Sequence, residues 1–143
     1  MTVRHILDTK GRDVLTATQT ATVHDVARTL AEKKVGALVL LGPDGRLAGI
    51  VSERDVVRVI ARSGVDSLSQ TIDEVMTLKV TTCTQDTTVD EAMELMTNGR
   101  FRHLPVIENE RVVGVVSIGD VVKQRIETVE REASEMRDYI SAG

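Results

Sequence analysis

Two short stretches hold the residues best suited to chemistry: GIVSERD, Gly49–Asp55, and GVVSIGD, Gly114–Asp120. Each reads as the end of a buried strand running straight into a helix, with a glycine that permits close packing, two β-branched residues, and then Ser and Asp where the helix begins. The unpaired N–H groups of a first helical turn attract anionic groups. A carboxylate three residues beyond the serine can accept hydrogen bonds from both vicinal hydroxyls of a ribose. Phosphate and sugar can therefore be held at one junction. The same SxxD spacing is that of a capping box, and Ser52 with Asp55 taken singly need be no more than caps. Duplication argues for more: Ser117 and Asp120 recur at the same offset from a glycine, although capping alone draws freely on Ser, Thr, Asp and Asn.

The elements that must position these junctions also occur twice. Val3, Ile6 and Leu7 have helical spacing and predict a lead-in helix within Met1–Gly11. A short strand, VLT at Val14–Thr16, has its counterpart in VTT at Val80–Thr82, 66 residues on. Helices follow, opened by Thr22 with Asp25 and by Thr88 with Glu91 at capping-box spacing. Strand pairs come next, VGALVLL and LAGIVS around GPDGR, then FRHLPVI and VVGVVS around ENER. Helices are expected from Glu53 to about Ser63 and from Ile118 onward. Gly64–Ser69 reads as a polar, loose connection, and Thr71–Met76 as a repeat of the lead-in helix. Two such copies hide their apolar faces by packing on one another, which leaves pseudo-twofold clefts lined by both strand-to-helix junctions.

Composition narrows the function classes. The chain has 143 residues and 15.6 kDa, of which 41% are apolar, enough for a core of its own. A net charge of −4 and a pI near 5.4 speak against nucleic acid as a partner. Phe101 and Tyr139 are the only aromatic residues, so there are no ring platforms for single strands. No apolar run reaches membrane-spanning length, and MTVRHILDTK lacks a leader's apolar core. The one cysteine, Cys83, allows no internal disulfide and no thiolate metal cluster. A cytoplasmic protein with no membrane partner is the expectation.

With both junctions, the FRHLPV strand (Phe101–Val106), the strand threonines Thr16 and Thr82 and the TTVDEAMELM helix in this order, the chain resembles a tandem pair of cystathionine beta-synthase (CBS) domains, a Bateman module, over essentially its whole length. The resemblance implies an α+β fold of two pseudo-twofold-related repeats, β-α-β-β-α each, packed through their sheets and followed by a long C-terminal helix. Repeat 1 with its lead-in helix and linker would occupy residues 1–70 and repeat 2 residues 71–143. It also implies a regulatory, non-enzymatic module that binds AMP, ADP, ATP or NAD(H) between the repeats, and less readily S-adenosylmethionine. Asp55 and Asp120 would hold ribose hydroxyls, Ser52 and Ser117 would lie near phosphate, and Thr16 and Thr82 beside adenine. Arg102 and His103, followed by Pro105 in the same strand, would cross over to serve the Asp55 site together with Arg54. The Asp120 site would face Gly36 and Ala37 and have few cations, with Lys33 and Lys34 as partial substitutes. The Asp55 site is therefore expected to be the stronger phosphate site.

Plainer readings stand beside these. Arg102 and His103 suit a charged edge strand, Arg54 a solvated first turn, His5 and His24 the surface, and Cys83 a small buried apolar position. The last helix carries Val122, Ile126, Val129, Ala133, Met136 and Ile140 at spacings of 4, 3, 4, 3 and 4. That is a heptad seam, suited to a homodimer or to folding back on its own repeat. The competing functions are a small nucleotide-processing enzyme, for which His103 with Asp55 is the one conceivable acid–base pair, and a purely structural dimerisation protein. For the sensor, an unknown protein target is implied.

Overall fold

The computed structural model describes residues 1–142. In chain order the elements are α1 (Val3–Lys10), β1 (Thr16–Thr18), α2 (Val23–Lys33), β2 (Ala37–Leu41), β3 (Leu47–Ser52), α3 (Glu53–Ser63), two 3₁₀ helices (Gly64–Ser69 and Ile72–Glu74), α4 (Val89–Gly99), β4 (His103–Glu108), β5 (Arg111–Ser117) and α5 (Ile118–Ala142). One sheet has the order β1-β2-β3, with β1 parallel to β2 and β2 antiparallel to β3, and the other is the antiparallel pair β4-β5. The hairpin tips meet, Arg46 Nη2 lying 2.6 Å from Glu110 Oε2 and Arg111 Nη1 donating to the Asp44 carbonyl at 3.1 Å.

The expected α+β repeat pair is present, and the helix starts follow their caps. Thr22 and Asp25 form the reciprocal capping box, whereas Thr88 accepts the Glu91 N–H without a returned bond. Helix α3 occupies Glu53–Ser63, as its sequence predicts. Three expectations need correction. The strand signals are displaced: pairing begins at Thr16 rather than Val14, and in the second copy Val80–Thr82 forms no strand. Only Cys83 bridges to Val106, because Val80 and Thr81 are drawn into a cleft wall instead. Gly64–Ser69 is a 3₁₀ helix rather than a loose connection, tied down by buried Ser67, whose hydroxyl donates to the Gly64 carbonyl at 2.6 Å. Thr71–Met76 holds only the single turn Ile72–Glu74.

The two cores are cross-wired. Val3, Ile6 and Leu7 of α1 pack with Val89, Met96, Leu104, Val106, Val116 and Val121, all from the second half. Ile72, at the start of the second copy, packs with Val23, Leu30, Leu38, Leu40, Val51 and Val59 of the first. Each lead-in segment therefore belongs energetically to the other copy. The bridges Thr2 to Thr88 and Thr22 to Thr71 fix the exchange. A side chain at Gly114 would meet Leu7, and one at Gly49 would meet Met76, each at 2.7 Å, so both motif glycines are the seats of exchanged residues. Cys83 is buried among these apolar side chains, and burial pushes its thiol up to about 11.

Helix α5 does not fold back. Its 25 residues span about 37 Å at 1.5 Å per residue, and only Val121 is buried. Beyond Thr128 every described position is exposed, so the helix leaves the body of the protein.

Candidate functional site

Both junctions have the same construction. Asp55 Oδ2 accepts the Ser52 N–H at 2.9 Å and its hydroxyl at 3.2 Å, while the Ser52 hydroxyl oxygen accepts the Asp55 N–H. Asp120 Oδ2 accepts the Ser117 N–H at 2.8 Å, and Ser117 Oγ accepts the Asp120 N–H at 3.2 Å. In each, the first helical N–H donates to the carbonyl just before the hairpin, Glu53 to Gly36 at 3.0 Å and Ile118 to Arg102 at 2.8 Å. The capping role is thus real at both sites and uses one carboxylate oxygen of each aspartate.

The surroundings differ. A cleft of about 620 Å³ opens at the first junction and is lined there by Ser52, Glu53, Arg54, Asp55 and Arg58. Its far wall is Arg100, Phe101, Arg102 and His103 from the second half, and its side is the connecting segment Thr77, Lys79, Val80 and Thr81. Arg102 and His103 do cross over to the Asp55 side. Five cations (Arg54, Arg58, Lys79, Arg100 and Arg102) face two acids here, on a chain whose net charge is −4. Among the described residues, none of the five takes part in an ion pair. Ile50, Val80 and Phe101 supply the apolar surface of the same cleft.

A second cleft of about 280 Å³ is lined by Lys10, Asp13, Leu15, Lys34, Ala37, Val115 and Ser117, and shares Gly36 and His103 with the first. Asp120 lines neither cleft. Its Oδ2 is held by Lys10 Nζ at 2.7 Å, and the same ammonium donates to the Val115 carbonyl at 2.9 Å. Burial works against ionisation of Asp120, but the bonds from Lys10 and Ser117 together outweigh it and hold the carboxyl below its ordinary range. Thr16 is exposed on β1 opposite Val39, with its neighbours Asp13 and Leu15, rather than itself, on the smaller cleft. Thr82 is exposed and yields its place in the larger cleft to Thr81. Pro105 is buried in β4, its carbonyl accepting the Cys83 N–H at 3.0 Å, and lines neither cleft. Lys34 lines the smaller cleft and Lys33 does not.

Sequence reasoning passed over Arg58, Lys79 and Arg100. Arg58 could have been found, since it lies one turn beyond Arg54 on the same helical face. Arg100 could not, because it ends α4 in the left-handed conformation at φ 58°, and only that turn directs the chain along the cleft.

His103 is the wall common to both clefts. Its ring lies over Gly36, where a side chain would meet Cε1 and Nε2 at 2.9 Å. Burial holds its pKa below the ordinary value, with Lys10 and Arg102 adding to the effect and Glu53 and Asp120 opposing it. The unfolded chain therefore binds the proton more tightly. The stability conferred by neutral His103 is complete above the ordinary histidine pKa of about 6.5 and is lost as pH falls below it. His103→Gln should give urea midpoints that decline less than wild type between pH 7 and pH 5, and equal declines would refute this assignment.

Comparison with known proteins agrees with this geometry. The family model for the CBS domain matches twice, over residues 3–62 and 72–127. The CBS domain-containing protein CBSX3, mitochondrial, of Arabidopsis thaliana is 37% identical over 150 residues, covering 99% of this chain and 73% of the relative. Another Arabidopsis thaliana relative, CBSCBSPB2, is much longer: the match, 31% identical, covers 85% of this chain and 23% of that protein. Among solved structures, the CBS-domain containing protein ATU1752 from Agrobacterium tumefaciens has a TM-score of 0.85 at 46% identity, covering 87% of this chain and 99% of that one. PAE2072 from Pyrobaculum aerophilum, complexed with AMP, has a TM-score of 0.75 at 31% identity and covers 84% and 89%. The CBS domain pair of MJ0100, in complex with 5′-methylthioadenosine and S-adenosyl-L-methionine, has a TM-score of 0.77 at 26% identity and covers 87% and 98%. Two matched repeats, mirrored junctions and cross-wired cores make this chain a member of the CBS-domain family, a tandem CBS pair.

Proposed function

We propose that this chain is a non-enzymatic regulatory module that binds a phosphate-bearing adenine nucleotide, AMP, ADP, ATP or NAD(H), in the larger cleft. The observation that carries this reading is the convergence of five unpaired cations on the cleft that contains Asp55. Clustered unpaired positive charge repels itself and gains most from an anionic guest, through charge-assisted hydrogen bonds that Arg forms two at a time with phosphate. Asp55 has its second carboxylate oxygen free for a sugar hydroxyl, and Ile50, Val80 and Phe101 give the base an apolar surface. The AMP complex of PAE2072 supports the ligand class. S-adenosylmethionine, found with MJ0100, suits this cleft least because its sulfonium would face like charge. Calorimetric titration with AMP, ADP, ATP, NADH and S-adenosylmethionine tests the order, and tightest binding by the sulfonium would overturn it.

The enzyme reading gains no support. His103 and Asp55 line the same cleft, but no hydrogen bond joins them among the described residues, and no cluster of metal-ligating side chains occurs there. None of the described helices is long and apolar enough to cross a membrane. A cytoplasmic location remains part of the proposal on the strength of the lone thiol; CBSX3 is mitochondrial, so the fold does not dictate the compartment.

Signalling, in this reading, passes through a homodimer built on the repeat helices and α5 to a protein target. Val122, Ile126, Val129, Met136 and Ile140 are 41–68% exposed along one seam, an apolar stripe that a second copy can cover knob into hole. Replacing Ile126 and Val129 together by Glu should convert a dimer to a monomer in sedimentation velocity while leaving the circular dichroism of the repeats unchanged. Wild-type sedimentation by this variant would remove α5 from the interface.

A further inference from the structure

The two clefts carry an internal comparison that singles out Lys10. The exchanged lead-in segments correspond at a constant offset of 69, which pairs Thr2 with Thr71, Leu7 with Met76 and therefore Lys10 with Lys79. Both lysines stand three residues beyond the side chain that caps a motif glycine, so each is delivered to the cleft of the opposite copy. Lys79 lines the larger cleft, and among the described residues no cation is paired with Asp55. Lys10 sits on Asp120 Oδ2 at 2.7 Å and also on the Val115 carbonyl.

The difference has a local cause. Helix α1 continues through Lys10 and stops at Gly11, whose φ of 100° is open to glycine alone, so Lys10 projects from a full helical turn. In the other copy the 3₁₀ turn ends at Glu74, and Lys79 lies beyond it in a bend, where the Val80 N–H donates to the Leu78 carbonyl at 3.1 Å. One lysine is thus aimed at its acid and the other is held away from it.

We propose that Lys10 is a displaceable occupant of the smaller cleft, which makes the two clefts fill in order. This inference rests on the nucleotide reading of the larger cleft. Lys10 lines the smaller cleft while Asp120 does not, and it shares Oδ2 with the Ser117 N–H, so a sugar approaching this carboxylate from the cleft meets the ammonium first, although Oδ1 has no partner among the described residues. No such step precedes binding at Asp55. A partly exposed ion pair with a supporting carbonyl is a weak contact, so releasing it weakens the second event without abolishing it.

The test is calorimetry with AMP on the full chain. Wild type should show one tight event per chain followed by a weaker one. In Lys10→Met the weaker event tightens by about three- to tenfold, and the tight event moves by less than about twofold. Lys79→Met should act in the opposite sense and weaken the tight event. Lys10→Gln, which keeps the side chain polar, must reproduce the gain, and this guards against a packing effect of Met on α1. Loss or no change of the weaker event in both Lys10 variants overturns the inference, as do two equal events in wild type. Absence of heat from wild type and variants alike overturns the nucleotide reading and takes this inference with it.

Discussion

Asp55→Ala should lower the affinity of the chain for adenine nucleotides by about 10- to 100-fold while leaving it folded. Each hydrogen bond between a ribose hydroxyl and an ionised carboxylate is worth roughly 1.5–3 kcal/mol, and Asp55 is the aspartate that lines the larger cleft without a lysine on it. The variant also loses the reciprocal capping bond to Ser52, which costs α3 about 1 kcal/mol. Ser52→Ala separates the two effects, since it removes the cap and keeps the carboxylate. Were Asp55 only a cap, Asp55→Ala and Ser52→Ala would lower the melting temperature alike and leave calorimetric affinity where it was.

Leu7→Ala should cost about 2–5 kcal/mol, the range for emptying a leucine's place in a packed core. Leu7 is fully buried against Gly114, where no side chain can relax into the space. This is a large share of the roughly 5–15 kcal/mol by which a domain is stable. The informative part is where the loss appears. Residue 7 lies in the lead-in helix of the first repeat, but the apolar cluster it joins holds Val89, Met96, Leu104 and Val116 of the second. Native-state hydrogen exchange should therefore show α4, β4 and β5 losing protection before β2 and β3. Loss confined to the first half would contradict the exchanged cores.

Much of this was legible in the chain because local signals and the repeat agree. Capping residues set the starts of α2, α3 and α4, and apolar spacing gave α1 and the seam of α5. The second copy of each motif turned weak patterns into a fold. The cross-over that carries Arg102 and His103 to the Asp55 side came with the family resemblance, and the geometry agrees with it. Arg58 needed only helical arithmetic from Arg54. What failed was the register of the first strand in each copy and the type of the connection between copies. There, two or three residues choose between pairing and lining a cleft, and propensity is too small to decide.

By itself the sequence determined that there are two α+β repeats, that each ends in a glycine-led strand-to-helix junction, and that an aspartate stands at each. Only the tertiary structure decided which aspartate has a lysine on it. That depends on where Lys10 and Lys79 point, and their directions are set by an exchange of lead-in segments between copies and by the extra turns of α1. Lys10 and Asp120 meet there although 110 positions separate them in the chain, and no periodicity within a window of the sequence records such a meeting.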